Sequence, residues 1–218
     1  MKKIYLKTTL LFAMATMAMV LPAFAGNFYV CSGTSFTLKA DVSTTTYSTY
    51  EWTTGTGTVL QTGTSPDYAT SVTLATATTA ESRTYRLRVQ NADGCWSDLA
   101  THTVYILPAL TATIAGTNEF CSDVPLTGNL VATANYSSLN LTAAPGTGYI
   151  FSWTGGTGST ASGTNNNTYT ITTAGTYNVS VAYTLPTNDG SKLASCNGTA
   201  THNVTVLTAP TTPVVTIE

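Results

Sequence analysis

The chain has 218 residues, a formal net charge of −2, and 8% charged against 43% hydrophobic residues. Eight basic residues spread over that length exclude a nucleic-acid footprint, which needs clustered Lys and Arg to neutralise phosphates. Threonine, serine, glycine and asparagine carry the polarity instead, and β-branched threonine favours extended backbone, so the composition points to an all-β extracellular protein and away from disorder.

Residues 1–25 have the form of an export signal. Lys2, Lys3 and Lys7 form a basic start, an apolar run covers Leu10 to Leu21, and Ala23-Phe24-Ala25 is an A-x-A cleavage site. The mature chain is expected to begin at Gly26. Cleavage leaves five basic residues (Lys39, Arg83, Arg86, Arg88 and Lys192) against ten acidic ones, a net charge of −5. The apolar run is shorter than the roughly 20 residues that span a bilayer, and no later run is longer, so no transmembrane segment is expected after cleavage. The expected location is extracellular or on the outer cell surface, with the periplasm as the alternative.

From Gly26 onward the chain says one thing twice. Cys31, Tyr50-Glu51-Trp52, Thr84-Tyr85-Arg86-Leu87-Arg88-Val89, Cys95 and Thr101-His102-Thr103-Val104 form a ladder. Cys121, Phe151-Ser152-Trp153, Thr176-Tyr177-Asn178-Val179-Ser180-Val181, Cys196 and Thr201-His202-Asn203-Val204 repeat it. A duplicated unit of about a hundred residues is a domain rather than a short solenoid repeat. The expected division is 26–108, 109–208, and a tail, 209–218, that resembles the opening strand of a third unit. Proline marks both boundaries, at Pro108 and at Pro210 and Pro213, and stiffens the links.

Within the first unit, Ser35 to Val42 alternates, with Phe36, Leu38, Ala40 and Val42 on one face and Lys39 and Asp41 on the other. Residues 75–82 read as an extended loop. In the next strand Tyr85, Leu87 and Val89 point inward and Arg86 and Arg88 outward, and Val104 and Ile106 share a face in the last. The second unit supplies strands at Leu130 to Ala134 and Tyr169 to Ile171, then inward Tyr177, Val179, Val181 and Tyr183, then Val204 and Val206. Trp52 and Trp153 are expected as core plugs. Short antiparallel strands with Gly-rich turns predict two tandem β-sandwiches.

Four cysteines in an exported chain predict two disulfides, with three possible pairings. The duplication selects Cys31–Cys95 and Cys121–Cys196, one within each unit, pinning each unit's opening segment to its last hairpin. Four thiolates divided between two units do not make one zinc site, and no C-x-x-C redox pair occurs.

Chemistry-bearing motifs are scarce. His102 and His202 occupy equivalent places, without a partner nucleophile and carboxylate, and read as strand residues beside the disulfides. Asp93-Gly94 and Asp189-Gly190 read as type I′ hairpin turns, because neither has the D-x-D-x-D-G spacing of a calcium loop. Asp41, Glu51 and Asp67 lie on different segments and give no carboxylate pair for glycoside hydrolysis. No catalytic residue, cofactor or metal is expected. Trp96 and Tyr47 stand outside the alternating core pattern and are candidates for stacking on sugar rings.

Aromatic-x-Trp, then Ala174-Gly175-Thr176-Tyr177-Asn178-Val179-Ser180-Val181, then Cys196 and a final Val-x-Val strand resemble the PKD-like and Ig-like tandem repeats of secreted surface proteins from Bacteroidota. The resemblance covers nearly all of residues 27–208. It departs at the turns after Trp52 and Trp153, where Thr and Gly stand in place of the acidic residues of PKD domains. It implies an all-β, non-enzymatic stalk or adhesin whose partners are extracellular glycans, surface proteins or further repeats of the same protein. Two alternatives are a carbohydrate- or glycoprotein-binding module and a filament subunit that adds residues 213–217 to a neighbour's sheet.

Overall fold

The computed structural model describes residues 26–41, 46–156, 160–186 and 190–215. The expected export signal, Val42, Asp189, Ile217 and the end of the turn after Trp153 lie outside the described residues.

Seven strands build the first half: β1 (Asn27–Cys31), β2 (Ser35–Lys39), β3 (Thr49–Thr54), β4 (Val59–Gly63), β5 (Asp67–Ser71), β6 (Glu81–Gln90) and β7 (Ala100–Leu107). Strands β1-β7-β6-β3-β4 lie side by side in one sheet, and β2-β5 form the sheet that faces it. The two-residue period of the sequence is the cause. Phe36 and Leu38 of β2 are buried while their neighbours are exposed, and they meet Trp52, Tyr85, Val104 and Ile106 from the facing sheet. Trp52 is 1% exposed and stacks on Tyr68.

The second half comprises β8 (Ala112–Ala115), β9 (Glu119–Cys121), β10 (Gly128–Ala134), β11 (Gly148–Thr154), β12 (Thr160–Ser162), β13 (Thr168–Ile171), β14 (Gly175–Thr184), β15 (Gly190–Lys192) and β16 (Gly198–Leu207). Strands β11-β14-β16-β9 face β12-β13-β10-β8 around Leu130, Tyr169, Ile171, Tyr177 and Val204. The order β1-β7-β6-β3 of the first half returns as β9-β16-β14-β11, and β2-β5 returns as β10-β13. The duplication is therefore topological as well as sequential, and the fold is an all-β, Ig-like sandwich architecture. In both halves the strand that ends in the first cysteine, β1 or β9, runs parallel to the last, pairing Cys31 with Leu107 and Cys121 with Leu207.

Several local expectations are corrected. Trp153 is only half-buried; its indole N–H donates to the Asn166 carbonyl at 2.8 Å and its ring stacks on Tyr169. Val206 is 45% exposed although Val204 is buried. Strand β14 begins at Gly175, opposite Val204, so β16 projects past it and the sheet has thinned to two strands at Val206. In the first half β6 begins opposite Ile106, and Ile106 is fully buried. Residues 75–82 are not extended throughout. A turn closes with the Thr79 N–H on the Thr76 carbonyl, and the loop then docks on the second half, where the Ala80 N–H donates to the Asn140 carbonyl at 2.8 Å. At Asp93-Gly94 only Gly94 has positive φ, +84°, so this is a type I turn closed by a left-handed glycine rather than type I′.

Candidate functional site

The site with the most organised chemistry is the junction between the two halves. Cys31 is bonded to Cys196, 165 positions away, with Cα atoms 5.4 Å apart. Cys95 and Cys121 are free and exposed. This corrects the expected pairings Cys31–Cys95 and Cys121–Cys196, and the strand registers give the reason. Cys31 lies beside Leu107 at the end of β7 where Glu81 starts β6, while Cys95 follows Gln90 at the opposite end of β6. The ten residues of strand from Glu81 to Gln90 put roughly 30 Å between those ends, far beyond the Cα separation of about 7 Å that a disulfide tolerates. Likewise Cys121 lies beside Leu207, whereas Cys196 precedes Gly198 at the other end of β16.

Around the bridge the two halves are built into each other. Strand β15 adds in parallel to the outer edge of β1, from Phe28 opposite Gly190 to Val30 opposite Lys192. The Leu110 N–H donates to the Cys196 carbonyl at 2.7 Å, and the Thr34 and Ser195 hydroxyls meet at 2.7 Å. The Tyr183 hydroxyl donates to the Pro108 carbonyl at 3.0 Å, and burial followed by the neighbouring Tyr136 raises its pKa well above the usual tyrosine value. One apolar cluster runs through the junction, from Tyr29, Cys31, Leu107 and Leu110 to Val181 and Cys196. Gly198 is required there, because a Cβ would lie 2.6 Å from the Leu110 carbonyl oxygen.

The sugar-stacking candidates, Trp96 and Tyr47, are brought to one end of the first half. The Arg88 guanidinium lies 4.5 Å from the Trp96 ring centre, and its Nε donates to Glu51 Oε1 at 2.7 Å. A cleft of about 180 Å³ beside this stack is lined by Tyr47, Arg88, Ser97 and Asp98. Trp96 is 38% exposed and packs under Arg88 rather than beside a disulfide, because its neighbour Cys95 is free. The ring thus keeps a free edge, while one face is already occupied by a cation.

The histidines are separate. His102 lies between the rings of Phe28 and Trp52, each about 6 Å away, and burial lowers its pKa below the ordinary value of 6.5. His202 faces the Thr117 carbonyl at 3.4 Å. Neither stands beside the disulfide in the manner expected. A shallow groove of about 750 Å³ runs along the first half between Thr54, Tyr68, Arg83 and Arg86. It presents hydroxyls, two tyrosine rings and two arginines. Among the described residues no three His, Cys, Asp or Glu side chains gather to hold a metal ion. No helix among them is long and apolar enough to cross a membrane.

The feature missed from sequence is the strand that carries the first cysteine of each half. Asn27–Cys31 and Glu119–Cys121 are short, and only their pairing with a strand some 75 to 85 positions later defines them. The signal was the apolar Phe28-Tyr29-Val30 just before Cys31, too short to show a period.

No family model matches the chain, and no curated protein matches it. Solved structures do. Fibronectin(III)-like modules of Clostridium thermocellum CbhA are similar over 84% of this chain and 91% of theirs, at 14% identity and a TM-score of 0.41. The titin I-band fragment I67–I69 is similar over 84% of this chain and 64% of its own, at 8% identity and a TM-score of 0.39. Immunoglobulin domains 1–5 of Sidekick-1 are similar over 84% of this chain and 37% of theirs, at 12% identity and a TM-score of 0.38.

Proposed function

We propose that the chain is an exported, non-enzymatic spacer. Its two Ig-like domains of PKD-like type, 26–108 and 109–208, form a stiff segment of the stalk or adhesive part of a cell-surface protein. The observation that carries this reading is the junction. Consecutive domains normally move relative to each other unless a large apolar interface prevents it. Here a buried disulfide, an added strand and a shared apolar cluster all oppose that motion. A spacer that transmits force or holds a binding head away from a surface needs this stiffness, whereas a catalyst needs a convergent set of reactive groups. The test is small-angle scattering on the oxidised 26–218 chain. A single rigid particle matching the structure supports the reading; a broad ensemble of relative orientations contradicts it, as does a hydrolase or transferase activity in the same preparation.

A second reading, a carbohydrate- or glycoprotein-binding module, draws on the cleft by Tyr47 and the exposed edge of Trp96. Glycan-array binding that disappears in Trp96→Ala supports it. Binding unchanged by that substitution removes Trp96 from the case.

A further inference from the structure

We propose that copies of this chain join head to tail through a disulfide between Cys121 of one copy and Cys95 of the next, repeating the junction already present within each copy. The internal bridge joins the first cysteine of one half to the second cysteine of the following half. Applying that rule once leaves unused the second cysteine of the first half, Cys95, and the first cysteine of the second half, Cys121. These are the two exposed thiols. Each lies roughly 30 Å of strand from the junction, on opposite sides of it. They therefore cannot pair with each other within one copy.

The surroundings of Cys121 reproduce those of Cys31, with the covering removed. Cys31 pairs with Leu107 and Cys121 with Leu207. Ser32 N–H donates to the Leu107 carbonyl at 3.0 Å, and Ser122 N–H to the Leu207 carbonyl at 2.8 Å. Thr34 and Val124 then close the same turn, each donating to the carbonyl of its cysteine. At the internal junction Cys31 and Leu107 are 3% and 0% exposed. At the far end Cys121 is exposed, Leu207 is 47% exposed and Val124 57%. The outer edge of β1 is covered by β15, whereas among the described residues β9 is the last strand of its sheet and no strand pairs with its outer edge. An open edge beside apolar side chains is a site for another chain. At the opposite end the Asn91–Cys95 turn presents Cys95, Trp96 and Leu99, the last 45% exposed, on the hairpin equivalent to the one that carries Cys196. Such a contact uses two different surfaces, so it is heterologous and extends into a filament unless its rotation closes a ring.

The bond forms by exchange with a small-molecule or protein disulfide. The Cys121 thiolate attacks the oxidant and releases one thiol. The Cys95 thiolate of a second copy then attacks the mixed disulfide and releases the other. Two protein thiols are oxidised and one disulfide is reduced to two thiols. The experiment uses the 26–218 chain, treated with mild reductant that spares the buried internal bridge, then exposed to oxidised glutathione and run without reducing agent. The expected result is a reductant-sensitive ladder of dimers, trimers and longer species. Cys95→Ser alone and Cys121→Ser alone stay monomeric, and their mixture gives dimers and stops there. Three results would overturn the proposal: a wild type that stays monomeric with both thiols titratable, single variants that dimerise with themselves as readily as with each other, or a ladder that survives loss of both cysteines and depends on residues 209–218.

Discussion

Trp52 and Trp153 hold the same place in the repeat, yet they do different work. Trp52 is sealed between the facing sheets, while Trp153 is half-buried and hydrogen-bonded. Trp52→Ala should cost about 3–5 kcal/mol, the usual range for emptying a large aromatic site, and Trp153→Ala distinctly less. Urea unfolding of both variants measures the difference. His102 makes a second prediction. Its pKa is lowered by burial, so the folded chain binds its proton more weakly than the unfolded chain does. Its contribution is complete above the unfolded value of 6.5 and is lost as pH falls below it through the lower folded value. The urea midpoint should drop between pH 7.5 and pH 5, and His102→Gln should reduce that drop. An equal drop in the variant would place the pH dependence elsewhere.

At the scale of elements, the strands that carry Cys31 and Cys121 decide the covalent framework. The interior strands were legible because each carries its own alternation, as Phe36 and Leu38 or Tyr177, Val179 and Val181 show. The all-β class and the twofold order followed from them. Strands β1 and β9 carry no such signal in three to five residues, and their direction is fixed only by a partner far along the chain. An antiparallel β1 would put Cys31 near Cys95; running parallel to β7, β1 carries Cys31 to the other end of the sheet. For the same reason the junction, which needs both halves at once, was not legible, whereas Trp96 and Tyr47 stood out by breaking a local pattern. Gly198 is the element-scale test. Its missing Cβ lets β16 approach Leu110. Gly198→Ala should lower the melting temperature by forcing that contact apart, at a cost of about 1–3 kcal/mol. Gly63→Ala, where a Cβ would meet nothing within 4 Å, is the control and should change it little.

At the scale of the molecule, the two halves of the described chain are joined by a disulfide, an added strand and one apolar cluster. Closing a loop of 165 positions restricts the unfolded chain by about 5 kcal/mol in the entropic account. Removing the bridge in Cys31→Ser/Cys196→Ser should cost stability of that order. It should also loosen the halves, seen as a broader set of intraparticle distances in scattering. An unchanged scattering profile would mean that β15 and the apolar cluster suffice. The bridge itself is tested most directly by mapping it. Trypsin cuts the 26–218 chain after Lys39, Arg83, Arg86, Arg88 and Lys192, which puts Cys31, the pair Cys95 and Cys121, and Cys196 in three different peptides. In the unreduced monomer the peptide ending at Lys39 should be linked to the one beginning at Leu193, with peptide 89–192 released on its own. If instead both terminal peptides are found attached to 89–192, each half is closed on itself and the account of a locked junction is wrong.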